Sequence, residues 1–382
     1  MNSISINNFK SLVDLEVRLG ALTVFSGLNG SGKSSVLQVL AMLKQSQYNI
    51  KHKNIGDGVK LKLKGEYVNL GRIQDVYSES ANSKHIDIEI SINNKKTKLS
   101  SDINQKEKDY LFCDISDDDC FQLTSILDGF QFIQADRIVP CVEYDQASSE
   151  DRDVNNLGVR GEYSVDFLAN NSNDKISPNR LFTKDAIGVT RELFTQTAPT
   201  DSLLDQVCGW LQHISPGVKI STDEIIGTDS VKLQYNYTGE SITSETDFRR
   251  PTHVGFGLTY CLPIILAALI AKKNSFLILE NPEAHLHPQG QFAMGTLLAK
   301  CANDGVNVLV ETHSDHVLNG IRVAVKQSII SHENVAIHYF SRGVENGITF
   351  VQSPNVLHDG SMSNWPEGFF DQWSKSLDVL LG

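Results

Sequence analysis

Gly27-Leu28-Asn29-Gly30-Ser31-Gly32-Lys33-Ser34 matches the pattern G-x-x-x-x-G-K-[ST], and its flanks decide how it is read. Before it, Ala21-Leu22-Thr23-Val24-Phe25 is a short apolar run rich in strand formers. After it, Ser35 to Leu43 has helical length and no breaker. Strand, glycine-rich loop, helix is the order in which a loop curls its N–H groups toward phosphate oxygens while the helix adds the positive end of its dipole. Lys33 is expected to reach the β- and γ-phosphates and the Ser34 hydroxyl to bind magnesium. The residues expected to hold nucleotide here are Gly27, Asn29, Gly30, Ser31, Gly32, Lys33, Ser34 and Ser35.

A phosphate loop needs a second strand that presents a carboxylate to the metal. Phe276-Leu277-Ile278-Leu279-Glu280 supplies an apolar strand ending in acid, so Glu280 is the expected magnesium ligand beside Ser34. Its bland alternative is a carboxylate capping the next helix. The next apolar strand, Val306 to Val310, runs into Glu311-Thr312-His313-Ser314. That puts His313 at a carboxyl-terminal strand end, where open α/β sheets bind ligands, with the γ-phosphate or attacking water as its expected contact. A zinc reading of His285, His287, His313 and His316 fails because no cysteine or carboxylate set completes it at a plausible spacing.

Glu280 lies far beyond Lys33, so a large insert is expected between them. Residues 48–130 alternate in strand fashion, as in Val59-Lys60-Leu61-Lys62-Leu63 and His85-Ile86-Asp87-Ile88-Glu89-Ile90, which predicts an antiparallel sheet. Asp117-Asp118-Asp119 reads as the acidic start of a helix rather than a metal site. Asp145 to Thr183 reads as mostly irregular connection, and helical patterning returns from Asp185 to Ile214. The uncharged run Val254 to Ala271 contains Gly255, Gly257 and Pro263 and is expected to be a buried core helix, not a membrane span. The expected class is α/β: a P-loop ATPase head with a mixed or parallel core sheet, an antiparallel β subdomain and a helical insertion. The expected divisions are 1–130, a mainly helical 131–250, and 251–382.

Composition narrows the rest. The chain has 382 residues, 40% hydrophobic and 21% charged, which is ordinary for a globular protein of two or three compact units. Six cysteines without a CxxC pair argue against a disulfide framework or thiolate zinc site, and the polar N-terminus lacks a signal peptide; a cytoplasmic protein is expected. A formal charge of -12 disfavours a broad grip on nucleic acid, though Lys60, Lys62 and Lys64 share one strand face.

With these residues assembled, the chain resembles the ABC-type ATPases grouped with chromosome-maintenance (SMC) proteins, RecF and the OLD nucleases. Asn7-Asn8-Phe9-Lys10-Ser11, the phosphate loop, and Glu280-Asn281-Pro282-Glu283-Ala284-His285-Leu286-His287-Pro288 carry the resemblance. Val254 to Tyr260 and Asn364-Trp365-Pro366-Glu367-Gly368-Phe369-Phe370-Asp371 are similar to a small bacterial branch with a C-terminal domain of unknown function. The resemblance implies ATP and Mg2+ as cofactors and a head-to-head homodimer or higher homo-oligomer. It also implies trans contact with the γ-phosphate through the signature-like segment at Gly255 and Gly257. It further implies a separate effector, a nuclease or toxin, in anti-phage defence. The group commonly carries two adjacent acids where this chain has Glu280 and Asn281; an amide cannot act as the base, and Glu283 is the nearest substitute. Slow hydrolysis is therefore expected. An ATP-locked non-catalytic scaffold and a RecF-type DNA clamp stay open as alternatives. No Asp-x-Asp follows His316, so no nuclease chemistry is expected; the group's Q-loop is not placed by the sequence, Gln74 being one candidate for its glutamine.

Overall fold

The computed structural model describes residues 2–54, 58–92, 95–182, 198–237 and 247–381, which fall into two compact units. The first unit comprises residues 1–130, 333–357 and 361–382. In it β1 (Asn2–Phe9), β2 (Leu12–Leu19), β5 (His85–Ile92) and β6 (Lys95–Asp102) form an antiparallel sheet in the order β2-β1-β5-β6. The period-2 pattern explains it, since Ile4, Ile6, Ile86, Ile88 and Ile90 are buried while residues between them are more exposed. β4 (Val59–Lys62) pairs antiparallel with β7 (Tyr110–Cys113). The short α2 (Gln47–Lys51) and α3 (Ile73–Val76) connect these strands, and α4 (Asp117–Ile126) is capped by Ser116, whose hydroxyl accepts the Asp119 N–H.

β3 (Leu22–Gly27) lies parallel to β14 (Val335–Arg342), which pairs antiparallel with β15 (Thr349–Gln352). The phosphate loop follows β3 and leads into α1 (Lys33–Gln45), whose side chains from Val36 to Leu43 are nearly all buried. The C-terminal α11 (Gln372–Leu381) is preceded by the aromatic segment already singled out. Phe369 is buried there against Tyr339 of β14, with ring centroids 5.2 Å apart.

The second unit, residues 131–332 with 358–360, carries β8 (Gln131–Ile133), β12 (Phe276–Glu280) and β13 (Asn307–Glu311), all parallel, with β12 between the other two. Leu277, Ile278, Leu279, Val308, Leu309 and Val310 are fully buried, as continuous apolar strands covered on both faces must be. α8 (Phe256–Ile270), α9 (Pro288–Asn303) and α10 (Asp315–Lys326) accompany these strands. Among the described residues, no helix is long and apolar enough to cross a membrane.

One stretch keeps its mostly irregular course but holds short elements within it, and another differs from its sequence reading. Asp145 to Thr183 contains β9 (Tyr144–Asp145, at its start), α5 (Ser149–Asp153) and α6 (Ser164–Asn171). Local polar bonds build them: Ser148 caps α5, and Arg152 clamps the buried Asp166 of α6 at 2.7 and 2.9 Å. After α7 (Leu203–Leu211), the segment expected to be mainly helical also holds the hairpin of β10 (Val218–Glu224) and β11 (Ser230–Tyr237). Its alternation of Val231, Leu233 and Tyr235 with polar residues is a strand period. Residues 183–197, within the predicted helical stretch, lie outside the described residues.

Candidate functional site: a phosphate loop and an acidic strand end

In the first unit the loop from Gly27 to Gly32 places its three glycines where the backbone takes positive φ. Gly27, Gly30 and Gly32 have φ of 139°, 73° and 101°. A Cβ at Gly27 would collide with the carbonyl oxygen of Phe340 on the paired strand β14, and one at Gly32 would lie 2.5 Å from Thr349 Oγ1. One at Gly30 would meet nothing within 4 Å. The loop is therefore pressed against its own unit at both ends and open at its tip, where Leu28, Asn29 and Gly30 are exposed. Thr349 Oγ1 holds the return of the loop, 2.8 Å from both Ser31 O and Ser11 Oγ.

Lys33 is the first residue of α1 and is 3% exposed. Its ammonium folds back over the loop and donates to Gly27 O at 3.0 Å and Leu28 O at 2.9 Å. The Ser31 hydroxyl is buried without a hydrogen-bond partner, and α1 has no side-chain cap. A curled backbone, a cation held inside it and an uncapped helix start together suit an anion of phosphate type. Ser34, half-buried, opens the helix beside Lys33 and offers an oxygen of the kind magnesium takes, as does the Glu280 carboxylate of the second unit.

In the second unit, register places Glu280 and Glu311 side by side at the carboxyl ends of β12 and β13. Glu280 Oε2 accepts the Ala135 N–H at 3.0 Å. Burial pushes the Glu280 carboxyl above its ordinary range. The Glu311 charge pushes the same way, while the Ala135 N–H and the Arg137 charge oppose the shift. Asn281 turns the chain at φ 45°, a left-handed corner that asparagine tolerates, and its N–H donates to Glu311 O at 2.8 Å. Glu283 faces the end of the neighbouring strand: its two oxygens accept the Thr312 hydroxyl at 2.7 Å and the His313 N–H at 2.8 Å. His313 itself is exposed.

The signature-like segment meets the same strand end. Gly255 precedes α8 with open space where a Cβ would be, whereas a Cβ at Gly257 would press on His285 O at 2.6 Å. His285 packs its ring against Phe256 and Tyr260, with centroids 4.6 and 4.9 Å away, and His287 caps α9 by accepting the Gln289 N–H. The histidines after the acidic strand thus have packing and capping work.

A family model described as "AAA domain, putative AbiEii toxin, Type IV TA system" matches residues 22–319, a span that contains both the loop and the acidic strand end. The chain belongs to this AAA family. It is thereby a protein of the P-loop ATPase kind, as its loop geometry suggests. A second model, "Protein of unknown function (DUF3696)", matches residues 330–380 at the end of this AAA chain. Among solved structures, an SmcHead bound to the C-winged helix domain of ScpA is 14% identical, with 93% of this chain and 97% of that chain covered at a TM-score of 0.48. The SMC head domain from Thermotoga maritima is 13% identical, covering 92% and 97% at a TM-score of 0.42. A third, the Smc head domain with an extended coiled coil bound to the C-terminal domain of ScpA, derived from Pyrococcus furiosus, is 12% identical, covering 100% and 99% at 0.46. No curated protein matches the chain.

Sequence reading missed several residues that shape the candidate site. Thr349 and Ser11 brace the loop from distant stretches, and Thr312 orients Glu283. Arg137 was also missed; it is completely buried against the end of β12. A signal for it exists in Gln131-Phe132-Ile133-Gln134-Ala135-Asp136-Arg137, where an arginine closely follows a short apolar strand. Gln74 stands exposed on α3.

Proposed function

We propose that the chain binds ATP with magnesium and hydrolyses it slowly, as a head-to-head homodimer whose nucleotide state gates a separate effector in bacterial defence. The carrying observation is the loop: three glycines at positive φ curl its backbone, the Lys33 ammonium lies within it, and open space adjoins Gly30. On this reading Lys33 moves from its own loop carbonyls to the β- and γ-phosphates. Ser34 and Glu280 hold the magnesium ion, which neutralises phosphate charge when bound. His313 contacts the γ-phosphate or the attacking water, and Glu283 takes the base role that Asn281 cannot fill. Gly255, with its open surroundings, is the better placed of the two signature glycines to meet a phosphate bound by the partner copy. Dimerisation, the effector and the defence role rest on the family resemblance.

A second reading, an ATP-locked scaffold without turnover, draws support from Asn281 and from Glu283, whose two oxygens already accept hydrogen bonds. A DNA clamp is less favoured, because Lys60, Lys64 and Lys96 pair with Glu107, Asp109 and Glu89 on their own surface.

Titration with a fluorescent ATP analogue tests the core of the reading. Loss of one charge-assisted contact in Lys33→Ala is expected to cost roughly 1.5–3 kcal/mol, or about 10- to 150-fold in Kd. Equal affinity of wild type and variant would overturn it.

A further inference from the structure

We propose that Arg137 is a positioning residue that fixes Glu280 and ties it to the first turns of α8, so that a contact at Gly255 is felt at the carboxylate. This rests on the reading of Glu280 as a magnesium ligand.

Arg137 is 0% exposed, and none of the described carboxylates lies within ion-pair distance of it. Its guanidinium is held by carbonyl oxygens instead. Nε donates to Tyr260 O at 3.1 Å, Nη1 to Gln134 O at 3.0 Å and Glu280 O at 2.6 Å, and Nη2 to Asn281 O at 2.9 Å. The same guanidinium lies 4.3 Å from the centroid of the Tyr260 ring. The Tyr260 hydroxyl in turn donates to Ala135 O, and the Ala135 N–H donates to the Glu280 carboxylate at 3.0 Å. These bonds close a circuit: α8 holds the loop after β8, that loop holds the carboxylate, and one planar cation fastens the corner where β12 turns at Asn281.

Burying a cation among carbonyls carries the cost of removing it from water, so the guanidinium is kept here for the donors it places. What the guanidinium adds is a rigid planar fork that holds the backbone carrying Glu280 in place, as the outer partners of a metal ligand do. A lysine cannot replace it, because three donors on one nitrogen cannot fan out to four carbonyls around a plane.

The test uses the full chain, a fluorescent ATP analogue, and Mn2+ as a magnesium substitute whose uptake is read by electron paramagnetic resonance. For Arg137→Lys, the affinity for the analogue in chelator is expected to match wild type. The Mn2+ concentration for half-saturation of the nucleotide complex is expected to rise about 10- to 100-fold. Tyr260→Phe, which keeps the ring and loses only the hydroxyl, is expected to move it a smaller step in the same direction. A merely structural arginine would weaken nucleotide binding alike with and without metal, or leave Mn2+ uptake unchanged; either result overturns the inference while Lys33 keeps its role. If Arg137→Lys does not fold, Tyr260→Phe decides, and unchanged Mn2+ uptake in it refutes the circuit. Wild type that takes up no Mn2+ with the analogue would remove the underlying reading of Glu280, and the inference with it.

Discussion

Alanine at Gly27 and alanine at Gly30 make one chemical change in one loop, yet the structure predicts different consequences. At Gly27 the backbone sits at φ 139°, outside the range open to an L-residue, and an added Cβ strikes Phe340 O and lies 3.0 Å from Phe340 C and N. Those atoms are backbone of the strand paired to β3 in register Phe340↔Gly27, so no rotamer change relieves the clash. Strain and overpacking together should cost roughly 2–6 kcal/mol, a large part of the about 5–15 kcal/mol that stabilises a typical domain. At Gly30 nothing lies within 4 Å and φ is 73°, so the cost is the left-handed backbone alone, about 1–2 kcal/mol. Urea unfolding followed by tryptophan fluorescence measures the difference. Gly27→Ala is expected to lose most of its cooperative transition or fail to accumulate as soluble protein. Gly30→Ala is expected to fold and to bind nucleotide less tightly, because its methyl group enters the space assigned to phosphate. If the two variants unfold at the same urea concentration, the loop does not press on β14 as described and the reasoning fails.

Two further outcomes follow from the acidic strand end. Replacing Glu283 with Gln sets an amide against the Thr312 hydroxyl and His313 N–H; if Glu283 is the base, turnover should fall by about 10²–10⁴ with nucleotide affinity retained, and an unchanged slow rate would favour the scaffold. Glu280→Gln should stabilise the protein near neutral pH while weakening metal-dependent nucleotide binding. Since burial raises the Glu280 pKa in the folded state, the ionised form is the penalised one. Its penalty is absent below the ordinary glutamate range and grows as pH rises through that range toward the raised value. The melting-temperature advantage of Glu280→Gln should therefore be small near pH 4 and larger near pH 7, at about the two ends of that window; an advantage that shrinks with rising pH would contradict this sign.

How much of this was legible beforehand depended on whether the signal was local. The loop was readable because its glycines, lysine and flanking periodicities lie within a few turns of chain, and the apolar strands ending in Glu280 and Glu311 were readable because burial on both faces writes a continuous hydrophobic run. The α8 run was legible as a buried helix for the same reason. The hairpin β10–β11 carried a readable alternation at Val231, Leu233 and Tyr235, whereas the helices α5 and α6 did not show, since their stretch is rich in Asn, Asp and Ser. Its order comes from a Ser148 cap and the Arg152–Asp166 clamp, which act across residues rather than through periodicity.

The least legible part is also the one that distinguishes this chain's acidic strand end. Sequence shows Asn281 only as a missing second acid. In the fold that residue is a corner: its left-handed φ suits asparagine, its N–H is spent on Glu311 O and its carbonyl on Arg137. At this position backbone geometry stands where a second acid's side chain is expected, and the arginine that secures the corner comes from the loop after β8, more than a hundred residues earlier in the chain. The residue that stands where a second acid is expected and the buried cation are thus bound to each other, Arg137 Nη2 donating to Asn281 O at 2.9 Å. On the proposed reading of Glu280, a corner and a cation that hold the carboxylate still favour firm nucleotide binding over rapid turnover.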